Sequence, residues 1–206
     1  MTWGPLQRRL DRRSVIKGVA AAGVAQFAAP FVVTARAADQ VKFGLADPLT
    51  GTYAELGKNE QIGCQLAVAQ INAKGGILGR QVQLLVEDST SADTGTAVQK
   101  ARKLIERDKV DFLLGNVNSA MALALGEVSN QLKTLCIITG GHTDPVTGTD
   151  CHWNVFRVCN TTRIETNSVS NLLLNKYGKK WYFITPDYAF GHSLQQGFEA
   201  SLKKYG

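Results

Sequence analysis

The sequence predicts an α/β fold, a parallel sheet flanked by helices, and three observations carry that expectation. Short apolar runs alternate with amphipathic segments from Val41 onward, at the spacing of strand–helix–strand units joined by right-handed crossovers. Leu135-Cys136-Ile137-Ile138 is apolar throughout, as a strand covered on both faces must be. Asp111-Phe112-Leu113-Leu114 stops at Gly115 and a polar turn, Asn116 to Ser119, before a small-residue helix begins. In an open sheet of this kind, ligands sit outside the carboxyl ends of the strands. That turn is therefore the first place to look for function.

Residues 1–37 stand apart from the fold. Arg12-Arg13-Ser14-Val15-Ile16-Lys17 is followed by a modestly apolar run from Gly18 to Val33, and Ala35-Arg36-Ala37 ends it with small residues at two spaced positions. The run is too short and alanine-rich for a membrane span. The order of regions is that of a twin-arginine signal peptide, with Arg12 and Arg13 as the pair and Ala35 and Ala37 at the cleavage site. The expected destination is the periplasm. This leader holds six basic residues and one acidic, so the remaining 169 carry 17 basic and 16 acidic. The high pI of 9.2 thus belongs mostly to the leader. No basic patch interleaved with aromatics is left, and no nucleic-acid partner is expected.

Taken in order, Val41 to Asp47 alternates as a first strand, and Pro48 to Tyr53 is a loop. A helix is expected from about Gly57 to Ala73, with Ile62, Leu66, Ala69 and Ile71 on one face and Gly75-Gly76 ending it. Gln81 to Val86 is the second strand, running into Glu87-Asp88. Asp93 or Thr94 caps the next helix, whose buried stripe is Ala97, Ala101, Leu104 and Ile105. Val110 to Leu114 is the third strand, Ser119 to Leu132 a helix, Leu135 to Ile138 the fourth strand and Val155 to Val158 the fifth. The pattern then restarts with a helix from Arg163 to Tyr177, a strand from Trp181 to Ile184, and a helix carrying Leu194, Phe198 and Leu202. One strand and two helices make no self-sufficient second domain. The expected organisation is a signal over 1–37, a first lobe over 38–159, and the start of a second, truncated lobe over 160–206. On this reading the chain is an N-terminal fragment or a truncated gene product.

Ser119 offers a hydroxyl beside the free amides of a helix start, where anions are attracted. The same position suits a plain N-cap, by Asn118 or by Ser119. Gly140-Gly141, after the fourth strand, lets main chain approach a ligand without a side chain in the way. Other chemistry finds little support. His142, His152 and His192 show no zinc-like spacing with cysteine, and there is no phosphate-binding glycine loop. No serine lies in a nucleophile elbow, and no carboxylate pair is spaced for acid–base work. No metal, no cofactor and no catalysis are expected. Cys64 and Cys136 read as buried small hydrophobes. Cys151 and Cys159 flank a strand and would be roughly 25 Å apart at ~3.3 Å per residue, too far for a disulfide unless a hairpin intervenes.

The segments Pro48-Leu49-Thr50-Gly51, Ala69 to Ile77, Glu87-Asp88, Gly115 to Ser119, Thr139 to Pro145 and Asp187 to Gly191 together resemble a known family. They are similar, in order and spacing, to the type I periplasmic solute-binding proteins of ABC transporters, the branched-chain amino acid and amide group. The resemblance implies two α/β lobes with a small-molecule ligand closed between them, and an ABC permease and ATPase as partners. It implies that Ser119 with the amide of Ala120, and Gly141, His142 and Thr143, hold a ligand carboxylate or amide. Leu56 stands at the position of the family's first-loop aromatic, with Tyr53 nearby; Tyr188 and Phe190 are the second-lobe candidates for stacking. His142 stands where the family is usually small, and would narrow the pocket or bind an anion when protonated. Two alternatives share part of this reading: a ligand-sensing receptor or regulator of the same fold, and a secreted α/β hydrolase with catalytic residues beyond residue 206.

Overall fold

The computed structural model describes residues 40–91 and 93–205, within one compact unit spanning Ala38 to Gly206. The export signal at Arg12, Arg13, Ala35 and Ala37 lies outside the described residues. Five strands, β1 (Val41–Asp47), β2 (Val82–Asp88), β3 (Phe112–Leu114), β4 (Leu135–Ile138) and β5 (Val155–Arg157), form one sheet in the order β2-β1-β3-β4-β5. Every pairing is parallel. The order reverses beside β1, so the carboxyl ends of β1 and β3 open onto a switch point, where open sheets place their ligands.

Five helices connect and follow the strands: α1 (Ala54–Ala73), α2 (Thr94–Arg102), α3 (Ser119–Gln131), α4 (Thr162–Tyr177) and α5 (Ala189–Tyr205). α2 continues as a π-type turn over Lys103–Arg107. Asp93 caps α2, its carboxylate accepting from the amides of Gly95 and Thr96. The expected stripe Ala97, Ala101, Leu104 and Ile105 is buried as read, against Ala46, Leu113, Met121, Leu125 and Cys136. α1 begins at Ala54, ahead of the expected Gly57, because Gly51 to Tyr53 already turn: the Ala54 amide donates to the Gly51 carbonyl. No side chain caps this helix, so the sequence carried no start signal there. Gly57 is instead where α1 touches the β1 loop, and a Cβ on it would collide with the Pro48 carbonyl.

Three expectations are corrected. The face of α1 expected to be buried is open, with Ile62 61% and Leu66 59% exposed, and Cys64 is only half-buried. Trp181 to Ile184 forms no strand, and Tyr182 and Ile184 project into solvent. A strand persists only when its main-chain groups find a ladder partner, and no described strand lies alongside. On α5 the buried line is Gly191, Ser193 and Ser201, whereas Leu194, Phe198 and Leu202 are half-exposed beside Trp181 and Phe183. Small residues win because α5 packs tightly on α4; a Cβ at Gly197 would collide with Thr166. All four cysteines are free thiols, Cys136 buried and Cys151 exposed.

Candidate functional site

Four residues at the strand ends tie the site together. Asp88, closing β2, accepts from the amides of Leu49 and Thr90 and from the Thr50 hydroxyl. Burial alone would raise its carboxyl, but these donors outweigh it and hold it below the usual range. Ser91 donates to the Thr50 carbonyl and accepts from the Tyr53 amide, which places Tyr53 at the mouth of the cleft. Asn116, fully buried, donates to the Ala46 carbonyl and the Ser89 hydroxyl and accepts from the Asn118 amide. Asn118 then caps α3, its side-chain oxygen accepting from the amides of Ala120 and Met121.

The cap assignment decides between the two readings of the turn. Asn118 does the capping, so the Ser119 hydroxyl is left for other work; it accepts from the Thr143 amide at 3.2 Å. The Ala120 amide, expected to face a ligand, is instead engaged by Asn118. Thr143 is buried and donates its hydroxyl to the Ala189 carbonyl. The Gly141 carbonyl accepts from Arg157, as does that of Thr143. A Cβ on Gly141 would collide with Ala122, so this glycine serves close packing of the β4 loop on α3.

Tyr53, Leu56, Ser119, His142, Tyr188 and Phe190 line one cavity of about 400 Å³. Ala120, Gly141 and Thr143 are not among the residues that line it. Tyr53 and Tyr188 approach to 6.0 Å between ring centroids, Tyr188 and Phe190 to 6.1 Å, and Phe190 meets His142 edge-on. Burial, and then its hydrogen bond with Tyr53, raise the Tyr188 phenol, so it stays neutral. His142 pairs through Nδ1 with Glu165 of α4, which also accepts from Asn160. A larger cavity of about 580 Å³ lies between α4 and α5, but it contains none of the expected site residues.

Sequence reasoning missed Asn59, Glu60, Val117 and Glu165, which line the smaller cavity together with Gly140, singled out above for close main-chain approach. Glu60 had a usable signal: it lies one helical turn beyond Leu56 and therefore on the same face of α1. Its carboxylate accepts from the Thr139 hydroxyl, and a Cβ on Gly140 would collide with it. Among the described residues no group of three or more His, Cys, Asp or Glu is placed to hold a metal, and no helix is long and apolar enough to cross a membrane.

A parallel sheet with a cavity at its carboxyl edge, lined by aromatic and polar residues, defines an open α/β fold. The chain belongs to the periplasmic binding protein family, whose model matches residues 40–206. It is 31% identical over 167 residues to the Leu/Ile/Val-binding protein BraC3 of Rhizobium johnstonii, covering 81% of this chain and 45% of that protein. A periplasmic binding protein from Burkholderia mallei superposes with a TM-score of 0.77 at 29% identity, over 82% of this chain and 44% of that one. A solute-binding protein of an ABC transporter from R. palustris, in complex with benzoate, gives 0.69 at 26% identity, over 81% and 45%. The chain thus spans less than half the length of each of these relatives. These relatives are binding proteins rather than enzymes, and the chain is placed with them at that level.

Proposed function

We propose that this chain supplies the first wall of a solute-binding subunit of an ABC importer. It would capture a small carboxylate- or amide-bearing metabolite in the periplasm and hand it, chemically unchanged, to a permease and its ATPase. Residues 38–159 form the first lobe and 160–206 open the second; closure of the two on the ligand excludes water and strengthens each polar contact. Export follows the twin-arginine route with cleavage after Ala37, motivated by Arg12-Arg13 and Ala35-Arg36-Ala37. Terminal sequencing of the periplasmic protein should begin at Ala38, and another start would sink that part.

One observation carries the reading. Residues from separate segments of the chain meet in one cavity, Ser119 among them, and the Ser119 hydroxyl caps no helix. Tyr53, Leu56, Tyr188 and Phe190 are its apolar and aromatic lining, and Ser119, Asn59 and Glu60 are among its polar residues. Titration calorimetry of the full-length protein with L-leucine and with benzoate should give a dissociation constant of about 1 μM or better for one of them, about −8 kcal/mol. Ser119→Ala should weaken that binding by roughly tenfold or more, about 1.4 kcal/mol. An unchanged constant for the variant would return Ser119 to a packing role.

A further inference from the structure

The loop that follows β4 is bonded, residue by residue, to four other elements. Arg157 of β5 donates from Nη1 to the carbonyls of Gly141 at 3.2 Å and Thr143 at 2.6 Å, and from Nη2 to the Thr147 hydroxyl at 2.6 Å. The His142 carbonyl accepts from the Thr162 amide at the start of α4. The Thr143 amide donates to Ser119 of α3, and its hydroxyl donates to the Ala189 carbonyl at the start of α5. The Asp144 amide donates to Ser193 of α5, and its carboxylate accepts from the Arg163 amide of α4.

The same loop contributes to the cavity, and it does so by alternation. Gly140 and His142 line the cavity, while the carbonyls of Gly141 and Thr143 are held by Arg157. Two further lining residues, Tyr188 and Phe190, flank the Ala189 that Thr143 holds, and Glu165 lies on α4, whose start the loop also holds. These residues are thus attached to the loop, and the loop to the sheet through Arg157. Among the described residues no carboxylate pairs with Arg157; its partners are two carbonyls and a hydroxyl. A guanidinium presents its donors in a rigid planar fork, which suits several acceptors at fixed places; an ammonium offers no such fork. Arg157 itself is not among the residues that line the cavity.

We propose that Arg157 is a positioning residue of the cavity: its guanidinium clamps the β4 loop, and through that loop it holds His142, Glu165, Tyr188 and Phe190 in place for a bound solute. The inference rests on the solute-binding reading above and adds a residue that serves the site without touching the solute. A clamp of this kind keeps the cavity formed before the solute arrives, so less ordering is left for binding to impose. Without it, the loop carbonyls lose their donor, and the loop opens locally with the helix starts bonded to it, while the sheet stays folded.

Amide hydrogen exchange and calorimetry of the full-length protein test this together. In Arg157→Met, which keeps a long stem but no donor, the Thr143 and Thr162 amides should exchange at least roughly tenfold faster than in the wild type, with the amides between β1 and β2 unchanged. At a temperature where it is fully folded, the same variant should bind whichever of L-leucine and benzoate the wild type binds at least roughly tenfold more weakly. Arg157→Lys keeps the charge without the fork and should lose roughly threefold or more in both measurements; if Arg157→Met does not fold, this variant decides alone. Wild-type behaviour of the lysine variant would overturn the clamp. Faster loop exchange with unchanged affinity would overturn the positioning role and leave Arg157 a purely structural residue. If the wild type binds neither probe, the solute-binding reading falls, and the exchange rates alone uphold or overturn the clamp.

Discussion

On one face of the sheet, Gly44, Ala46, Leu113, Cys136 and Val155 meet α2 and α3; on the other, Phe43, Leu45, Asp47 and Phe156 meet α1 or water. The register makes this split, since partners across parallel strands share a face and neighbours along a strand do not. The first face is dry: Ala46, Leu113, Ala122, Leu125 and Cys136 are all fully buried. The second carries a buried acid at Asp47 while Phe156 is 53% exposed. The difference teaches where this protein keeps its stability and where it keeps its chemistry. A packed apolar face tolerates no ionisable group without a partner, so titratable residues collect on the face that opens to the cleft.

The largest expected effect contrasts two helix leucines that differ in face alone. Leu125→Ala on α3 removes a fully buried side chain and should cost about 2–5 kcal/mol. Leu66→Ala on α1, at a site 59% exposed, should stay within about 0.5 kcal/mol of wild type. Chemical denaturation of both variants measures the contrast. Equal losses would mean that the α1 face is covered in solution.

A second prediction uses pH to separate the faces. The folded carboxyl of Asp47 is raised from an ordinary 3.8 to about 9, so its neutral form is the one that folding favours. The stability it lends is complete below its ordinary value and is lost as pH rises toward and through 9. Asp47→Asn cannot ionise, so its stability relative to wild type should climb steadily between about pH 4 and 9 and level off outside that range. Denaturation midpoints for the two proteins across that range check it. A constant difference between them would show that Asp47 is ionised in the fold.

The smallest effect concerns the turn between the faces. Asn118→Ala removes two capping bonds from α3 and should cost about 1 kcal/mol. Ser119→Ala should cost clearly less, because its hydroxyl caps nothing and receives a single amide. Thermal unfolding compared for the two variants distinguishes them. A larger loss at Ser119 would make it the structural residue of the pair and weaken its place in the site.

Residue pattern by itself determined the order and type of the elements of the sheet and the buried stripe of α2, and it pointed to the strand ends, where a candidate cavity lies. These are properties of neighbours in the chain: a side-chain period of two or 3.6, a glycine that ends a helix, an Asp placed to cap one. Tertiary structure alone decided the rest. Asn118 and Ser119 suit a cap equally as residue types, and only the direction of the chain leaving β3 gave the role to Asn118. Trp181 to Ile184 is an aromatic-rich apolar run of strand-forming residues, yet a ladder needs a partner that no local pattern supplies. Asp47 and Glu60 lie on different elements with the β1 loop between them, and neither is marked by a motif. The Asp47 carboxyl is raised because folding removes it from bulk water and sets it near the acid of Glu60. Burial and proximity of that kind belong to the packed chain and to no stretch of its sequence.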